Sequence, residues 1–191
     1  GEPGPSVMAA FADYDRDGDL DIYLVRNRDP HETLKLHEDT EDREQILLEA
    51  GISLEEDGVE VKVGTPDYLY RNDGNGNFVN VTEEAGLMDI RGMGLSATWW
   101  DANGDNWPDI YVANDFGEPD RYLHNMGDGT FEEVAAEAFP YLPWFSMGSD
   151  SADLNNDGMF DVIGTDMAGT THFEQKIRMG DINLTRDFLT Y

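Results

Sequence analysis

The chain has no cysteine, and only 12 lysines and arginines stand against 41 aspartates and glutamates among its 191 residues. The missing thiols exclude disulfide staples and thiolate metal sites. The shortage of bases leaves a formal charge of -29, which repels a phosphate backbone and sets nucleic acid aside as a partner. No apolar run approaches the roughly 18 residues of a membrane-crossing helix, so no membrane span is expected. The first residues, Gly1-Glu-Pro-Gly-Pro5, lack a basic region followed by an apolar stretch, so any secretion signal is expected to lie outside this sequence. Catalytic signatures are missing as well. His31, His37, His124 and His172 form no spacing motif, and neither G-x-S-x-G nor H-E-x-x-H occurs.

What is present is enough apolar and aromatic residue, 39% and 11%, to bury a core rather than leave an acidic tail in water. The sequence also repeats. Asp13-Tyr-Asp-Arg-Asp-Gly-Asp-Leu-Asp21, Asp101-Ala-Asn-Gly-Asp-Asn-Trp-Pro-Asp109 and Asp153-Leu-Asn-Asn-Asp-Gly-Met-Phe-Asp161 all fit D-x-[DN]-x-D-[GN]-x-x-D. Each runs into a short stretch rich in β-branched and aromatic residues, Ile22–Val25, Ile110–Ala113 and Val162–Gly164, which reads as a strand. A second element, Asp67–Phe78, aligns without a gap with Asp120–Phe131 and reads as a β-hairpin around a Gly/Asn/Asp turn. Loop two starts 34 residues after Asp67 and loop three 33 after Asp120, while loops two and three are 52 apart. Such regular spacing marks a structural repeat.

The first unit is longer. Asp13 to Asp67 spans 54 residues where Asp101 to Asp120 spans 19, an insertion of 35. It falls at about 29–66 and carries 12 acids and three bases between Asp29 and Thr65. Within it, acids in the first turn, a shared face of Ile46, Leu47 and Ala50, and Gly51 as a stop predict a short helix over 39–50. The remainder reads as all-β: repeat one over 1–87, repeat two over 88–140 and repeat three over 141–191, the last incomplete or carrying an insertion of its own. A third hairpin is due near residue 172, and His172-Phe-Glu-Gln-Lys does not match it.

The loop spacing has a chemical meaning. Ca²⁺ takes six to eight oxygen ligands in a flexible shell, and side-chain oxygens at alternate positions of a tight loop turn onto one centre. Positions 1, 3, 5 and 9 supply side chains, and position 7 supplies its backbone carbonyl. The predicted ligands are Asp13, Asp15, Asp17, Asp21 and the carbonyl of Asp19; Asp101, Asn103, Asp105, Asp109 and the carbonyl of Trp107; and Asp153, Asn155, Asp157, Asp161 and the carbonyl of Met159. About three calcium ions are expected. Position 6 requires a sharp turn, which Gly18 and Gly158 take freely and Asn106 takes as the next most tolerant residue. Mg²⁺ wants a near-ideal octahedron and Zn²⁺ wants His or Cys, so both fit less well. An EF-hand would need Glu at position 12, where Leu24, Val112 and Gly164 stand.

The loop-plus-strand combination resembles the FG-GAP/VCBS repeats, the blades of calcium-binding β-propellers such as those of integrin α-subunits. Leu69–Phe78 followed by Val81-Thr-Glu-Glu-Ala-Gly-Leu87 is similar to bacterial repeat proteins associated with ASPIC/UnbV domains. The resemblance implies four-stranded blades with each loop between two strands, a partial β-propeller, and a secreted, cell-surface or periplasmic module for adhesion, recognition or scaffolding. Its partner would be a protein or carbohydrate ligand, or further blades. The competing reading is part of a calcium-dependent propeller enzyme acting on polysaccharide or phosphoester, for which spare carboxylates are plentiful. Trp99, Trp100, Trp107 and Trp144 are either blade core or a carbohydrate platform.

Overall fold

A computed structural model describes residues 6–27, 65–115, 119–143 and 145–167. The expected helix over 39–50, the region near 172, and His31, His37 and Trp144 lie outside the described residues. Two four-stranded antiparallel sheets and part of a third follow one another. Sheet one joins β1 (Ser6–Ala12), β2 (Asp21–Arg26), β4 (Tyr68–Asn72) and β5 (Phe78–Asn80) in that order. Sheet two joins β7 (Gly94–Trp100), β8 (Asp109–Asn114), β9 (Arg121–Asn125) and β10 (Phe131–Glu133). Sheet three pairs β11 (Ser146–Ala152) with β12 (Asp161–Asp166), and the short β3 (Thr65–Pro66) pairs with β6 (Arg91–Gly92). The expected strands and both hairpins are present, and each acidic loop connects the first two strands of its sheet.

The repeat holds at the level of register. Ala12 faces Asp21, Trp100 faces Asp109 and Ala152 faces Asp161. Each first strand slips by a residue at the same place, between Ser6 and Met8, Gly94 and Ser96, and Ser146 and Gly148. A bulge of this kind increases local twist, which suits sheets stacked face to face.

Strand β8 shows why its sequence is apolar without a break. Its odd and even side chains point to opposite faces. Ile110 and Val112 pack with Val25, Leu69, Leu123 and Phe131 between sheets one and two. Tyr111 and Ala113 pack with Trp100, Tyr122 and Val162 between sheets two and three. Both faces are therefore interior, and truncating the fully buried Ile110 to Ala would cost about 2–5 kcal/mol. Trp99 packs against the first cluster and Trp100 belongs to the second, so these two are core rather than platform.

One element was not expected. A single helical turn, α1 (Ala135–Ala138), follows β10, and Val81–Ala85 makes the same turn after β5: Ala85 N–H donates to Val81 O at 2.8 Å, as Ala138 N–H does to Val134 O at 2.9 Å. Each turn is too short to show helical periodicity in sequence. Buried Val81 and Ala85, four apart, anchor the first to the core.

The 29–66 stretch enters and leaves the fold at one place. Arg26 N–H donates to Asp67 Oδ1 at 2.7 Å, and Arg26 Nη1 reaches Pro66 O at 3.4 Å. Thr65 and Pro66, expected within the insertion, form strand β3 of the fold. Because the ends already touch and loop-closure entropy grows slowly with length, replacing residues 31–64 by a short Gly/Asn turn is expected to leave a β-rich fold. Circular dichroism of the deletion checks this; loss of all β-structure would contradict it.

Candidate metal centre

Position 9 of each loop is the first residue of a second strand, and there the loop is fastened. Asp21 and Asp109 are 0% exposed. Asp21 accepts Tyr14 N–H on Oδ2 at 3.2 Å and Asn72 N–H on Oδ1 at 2.8 Å. Asp109 repeats both bonds, with Ala102 N–H at 3.2 Å and Asn125 N–H at 2.7 Å, and adds Tyr122 Oη at 2.9 Å and His124 Nδ1 at 3.0 Å. Asp161 accepts Leu154 N–H at 3.0 Å. In loops one and two this carboxylate therefore ties position 2 of its own loop to the end of the third strand. Burial pushes the Asp21 carboxyl up to about 6 against the pull of its two N–H donors, with the Asp15 and Asp17 charges adding to the rise.

Above this anchor the three loops share one lattice. Position 1 accepts the N–H of position 6: Gly18 on Asp13 at 3.1 Å, Asn106 on Asp101 at 2.9 Å, Gly158 on Asp153 at 3.0 Å. Position 3 accepts the N–H of position 5, with Asp15, Asn103 and Asn155 at 3.3, 3.0 and 2.9 Å. Position 5 accepts the N–H of position 7, with Asp17, Asp105 and Asp157 at 2.9, 2.8 and 2.8 Å. The backbone is left-handed at position 6 throughout, with φ of 98° at Gly18, 70° at Asn106 and 89° at Gly158, as the sequence predicted. It is left-handed at position 4 as well, with φ of 61° at Arg16, 76° at Gly104 and 61° at Asn156. Sequence reasoning missed position 4, although Gly and Asn in two of three copies carried the signal.

The lattice leaves specific oxygens free for a cation. In loop one, carboxylate oxygens of Asp13, Asp15 and Asp21 all lie within 4.8 Å of one another, and among the described residues no other acid or histidine trio converges so closely. Asp13 Oδ2 holds Gly18 N–H, while Asp13 Oδ1 is buried with no hydrogen-bond partner. A buried carboxylate oxygen without a partner is costly, and an all-oxygen set suits a hard cation such as Ca²⁺. Burial, then the charge of Asp17, raises the Asp15 carboxyl above its ordinary range. The residues present fit the ion. In loops two and three an amide replaces the carboxylate at position 3, and Asn103 Nδ2 donates to Asp105 Oδ2 at 2.8 Å. Asp17, Asp105 and Asp157 are exposed at the loop tips, Asp19 and Trp107 are half-buried, and Met159 is exposed.

A second repeated aspartate pins the opposite end of the strand pair, and sequence reasoning did not single it out. Half-buried Asp67 accepts Tyr23 Oη at 2.9 Å and Arg26 N–H at 2.7 Å. Asp120 accepts Tyr111 Oη at 2.6 Å, Asn114 N–H at 2.9 Å and Ser146 Oγ, from sheet three, at 2.7 Å. The signal was the gapless alignment itself, which pairs Asp67 with Asp120 and Asn72 with Asn125. The hairpin turn at 72–77 is a turn as expected: Asp73 Oδ1 accepts the N–H groups of Asn75 and Asn77 at 2.9 and 3.2 Å.

Comparison with known proteins agrees with this arrangement. A profile described as FG-GAP-like repeat matches residues 59–112 and 101–164, together more than half of the chain. Loop one lies outside the matched residues, yet its strand register is that of the other two loops. Cartilage acidic protein 1 of Mus musculus is 29% identical over 146 residues, which cover 64% of this chain and 22% of that protein. The Xenopus tropicalis protein of the same name is 28% identical over 106 residues, 54% of this chain and 16% of its own length. The chain thus spans less than a quarter of the relatives it matches.

The half-buried Asp67 gives a prediction separate from any metal. Burial pushes its carboxyl up to about 7, against the lowering effect of Arg26 N–H, Tyr23 Oη and the Arg26 charge. A raised folded-state pKa favours folding below the unfolded value and loses that contribution as pH rises through the folded value. The window is therefore about pH 4 to 7. One pKa unit is worth about 1.4 kcal/mol, so the loss amounts to a few kcal/mol. Asp67→Asn is expected to melt within a few degrees of the parent at pH 5 and several degrees above it at pH 8. An unchanged difference between the two pH values would contradict the burial of an ionisable group there.

Proposed function

Because the chain belongs to the FG-GAP-like repeat family, we propose that it is a non-catalytic calcium-binding repeat module whose ions hold each unit's first hairpin to its neighbours. The observation that carries this reading is the convergence of Asp13, Asp15 and Asp21 around the unpartnered Asp13 Oδ1. Loop one would hold its ion with Asp13, Asp15, Asp17, Asp21 and the carbonyl of Asp19. The corresponding positions of loops two and three would do the same with one fewer carboxylate each. Ligand charge sets affinity, so loop one is expected to be the tightest. Bound calcium supplies positive charge where carboxylates crowd: three divalent ions would bring the formal charge from -29 to -23.

The module serves adhesion, recognition or scaffolding outside the cytosol: extracellular, at a cell surface, or periplasmic. Millimolar calcium there suits sites of modest affinity, and the relatives' name, cartilage acidic protein, matches the acidity of this chain. No helix among the described residues is long and apolar enough to cross a membrane. Protein or carbohydrate would be the ligand, and further units of the same repeat would complete a propeller. Support for further units comes from position. Tyr23 and Tyr111 are 2% and 4% exposed beneath the following sheet, whereas their counterpart Ile163 is 52% exposed.

Chelation tests the reading. At a free concentration about 100-fold above Kd, each independent site adds roughly 2.7 kcal/mol. EGTA is expected to lower the melting temperature by ten degrees or more, on the order of 3–4 °C per kcal/mol at this size. Ca²⁺ should restore it and Mg²⁺ should do so poorly. An unchanged melting curve in excess chelator would overturn the calcium assignment.

A further inference from the structure

The loops of adjacent units are linked by hydrogen bonds that run through two residues, Asn125 and Tyr14. Asn125, at the end of β9, is 1% exposed. Its backbone N–H donates to Asp109 Oδ1, position 9 of loop two, at 2.7 Å. Its side-chain amide donates to two carbonyls at 3.0 Å each: Pro108, position 8 of loop two, and Tyr14, position 2 of loop one. Tyr14 N–H in turn donates to Asp21 Oδ2, position 9 of loop one. The amide oxygen is engaged as well, by Gly127 N–H at 2.9 Å. Asn125 therefore cannot rotate without breaking several buried bonds.

Its counterpart Asn72 shows which bond is the additional one. Asn72 makes the same backbone bond to Asp21, the same amide bond to the position-8 carbonyl of Leu20, at 3.2 Å, and the same acceptance of a glycine N–H, from Gly74 at 3.1 Å. The bond to Tyr14 is what joins one unit to another. A second contact spans the same boundary. The Arg16 guanidinium, at position 4 of loop one, lies 5.2 Å from the ring centroid of Trp107, at position 7 of loop two. Trp107 N–H is itself fixed by the position-5 carboxylate of Asp105. Loops two and three touch through the same two positions, since a Cβ on Gly104 would meet Met159 Cε at 3.2 Å.

We infer that Asn125 is a positioning residue that couples cation binding at loops one and two, so that filling either raises the affinity of the other. This rests on the calcium reading above. A cation in loop two would fix Asp109, and with it Asn125. Asn125 then holds the Tyr14 carbonyl, and the N–H on the other side of the Tyr14 Cα orients Asp21 for loop one. Linkage makes the effect reciprocal.

Calorimetric titration with Ca²⁺ tests this in variants that isolate loop one. Asp157→Ala removes loop three, and adding Asp105→Ala removes loop two; both side chains are exposed, so the core is untouched. Loop one is expected to bind roughly tenfold more weakly when loop two is disabled, within the usual five- to 150-fold range for coupled sites. With Asn125→Ala in both backgrounds, that ratio should fall below about threefold, taking twofold as the least resolvable ratio against the tenfold parent. Should Asn125→Ala fail to fold, Asn125→Asp keeps the shape and the backbone bond and removes the two amide donors. A merely architectural Asn125 would lower the melting temperature and leave the tenfold ratio intact, which would overturn the assignment. Equal loop-one affinity with and without loop two, in the parent background, would overturn the coupling while leaving calcium binding standing. Absence of any binding heat in the parent would overturn both.

Discussion

The first two units depend on a carboxylate buried at the start of the second strand. Asp21 and Asp109 have no exposure, and each ties a loop peptide to the end of the third strand. Burying such a group is expensive unless its oxygens are all engaged. The sequence must therefore deliver N–H donors to it from two directions. The eight-residue loop brings one and the hairpin between the third and fourth strands brings the other. Strand register, loop length and hairpin position are then no longer independent, which is why they recur together.

The loop that satisfies this anchor also concentrates charge. In loop one the N–H groups engage one oxygen of each tip carboxylate and leave Asp13 Oδ1 buried and unmatched. Asp67 and Asp120 pose the opposite case, since neutral Tyr Oη and backbone N–H donors, together with Ser146 for Asp120, meet their oxygens at the far end of the strands. The anchors Asp21 and Asp109 are matched by hydrogen bonds as well, whereas Asp13 Oδ1 has no donor and leaves room for a cation.

Much of this was legible in the chain because the repeat is regular. The spacing of Asp13, Asp101 and Asp153 placed three acidic loops, and the apolar runs after them placed the second strands. The left-handed Asn106 was foreseeable from its place in the motif. What remained hidden depends on contacts between residues far apart in the chain or on turns too short to show a period. Nothing local distinguishes Asp67 from an ordinary surface acid until Tyr23 and Arg26 are brought over it from 44 and 41 positions away. Asn125 reads as the edge of a turn, and its bond to Tyr14 crosses 111 positions. The helical turns at 81–85 and 135–138 are shorter than any period that could reveal them.

Direct observation of the ion is the decisive test. Crystals grown in millimolar CaCl₂, with data collected where calcium scatters anomalously, should show a peak in each of the three loops. In loop one it should lie about 2.3–2.6 Å from Asp13 Oδ1 and from oxygens of Asp15 and Asp21. No peak in loop one, with Asp13 Oδ1 bonded instead to a water or a protein donor, would contradict a cation as the partner of that buried oxygen.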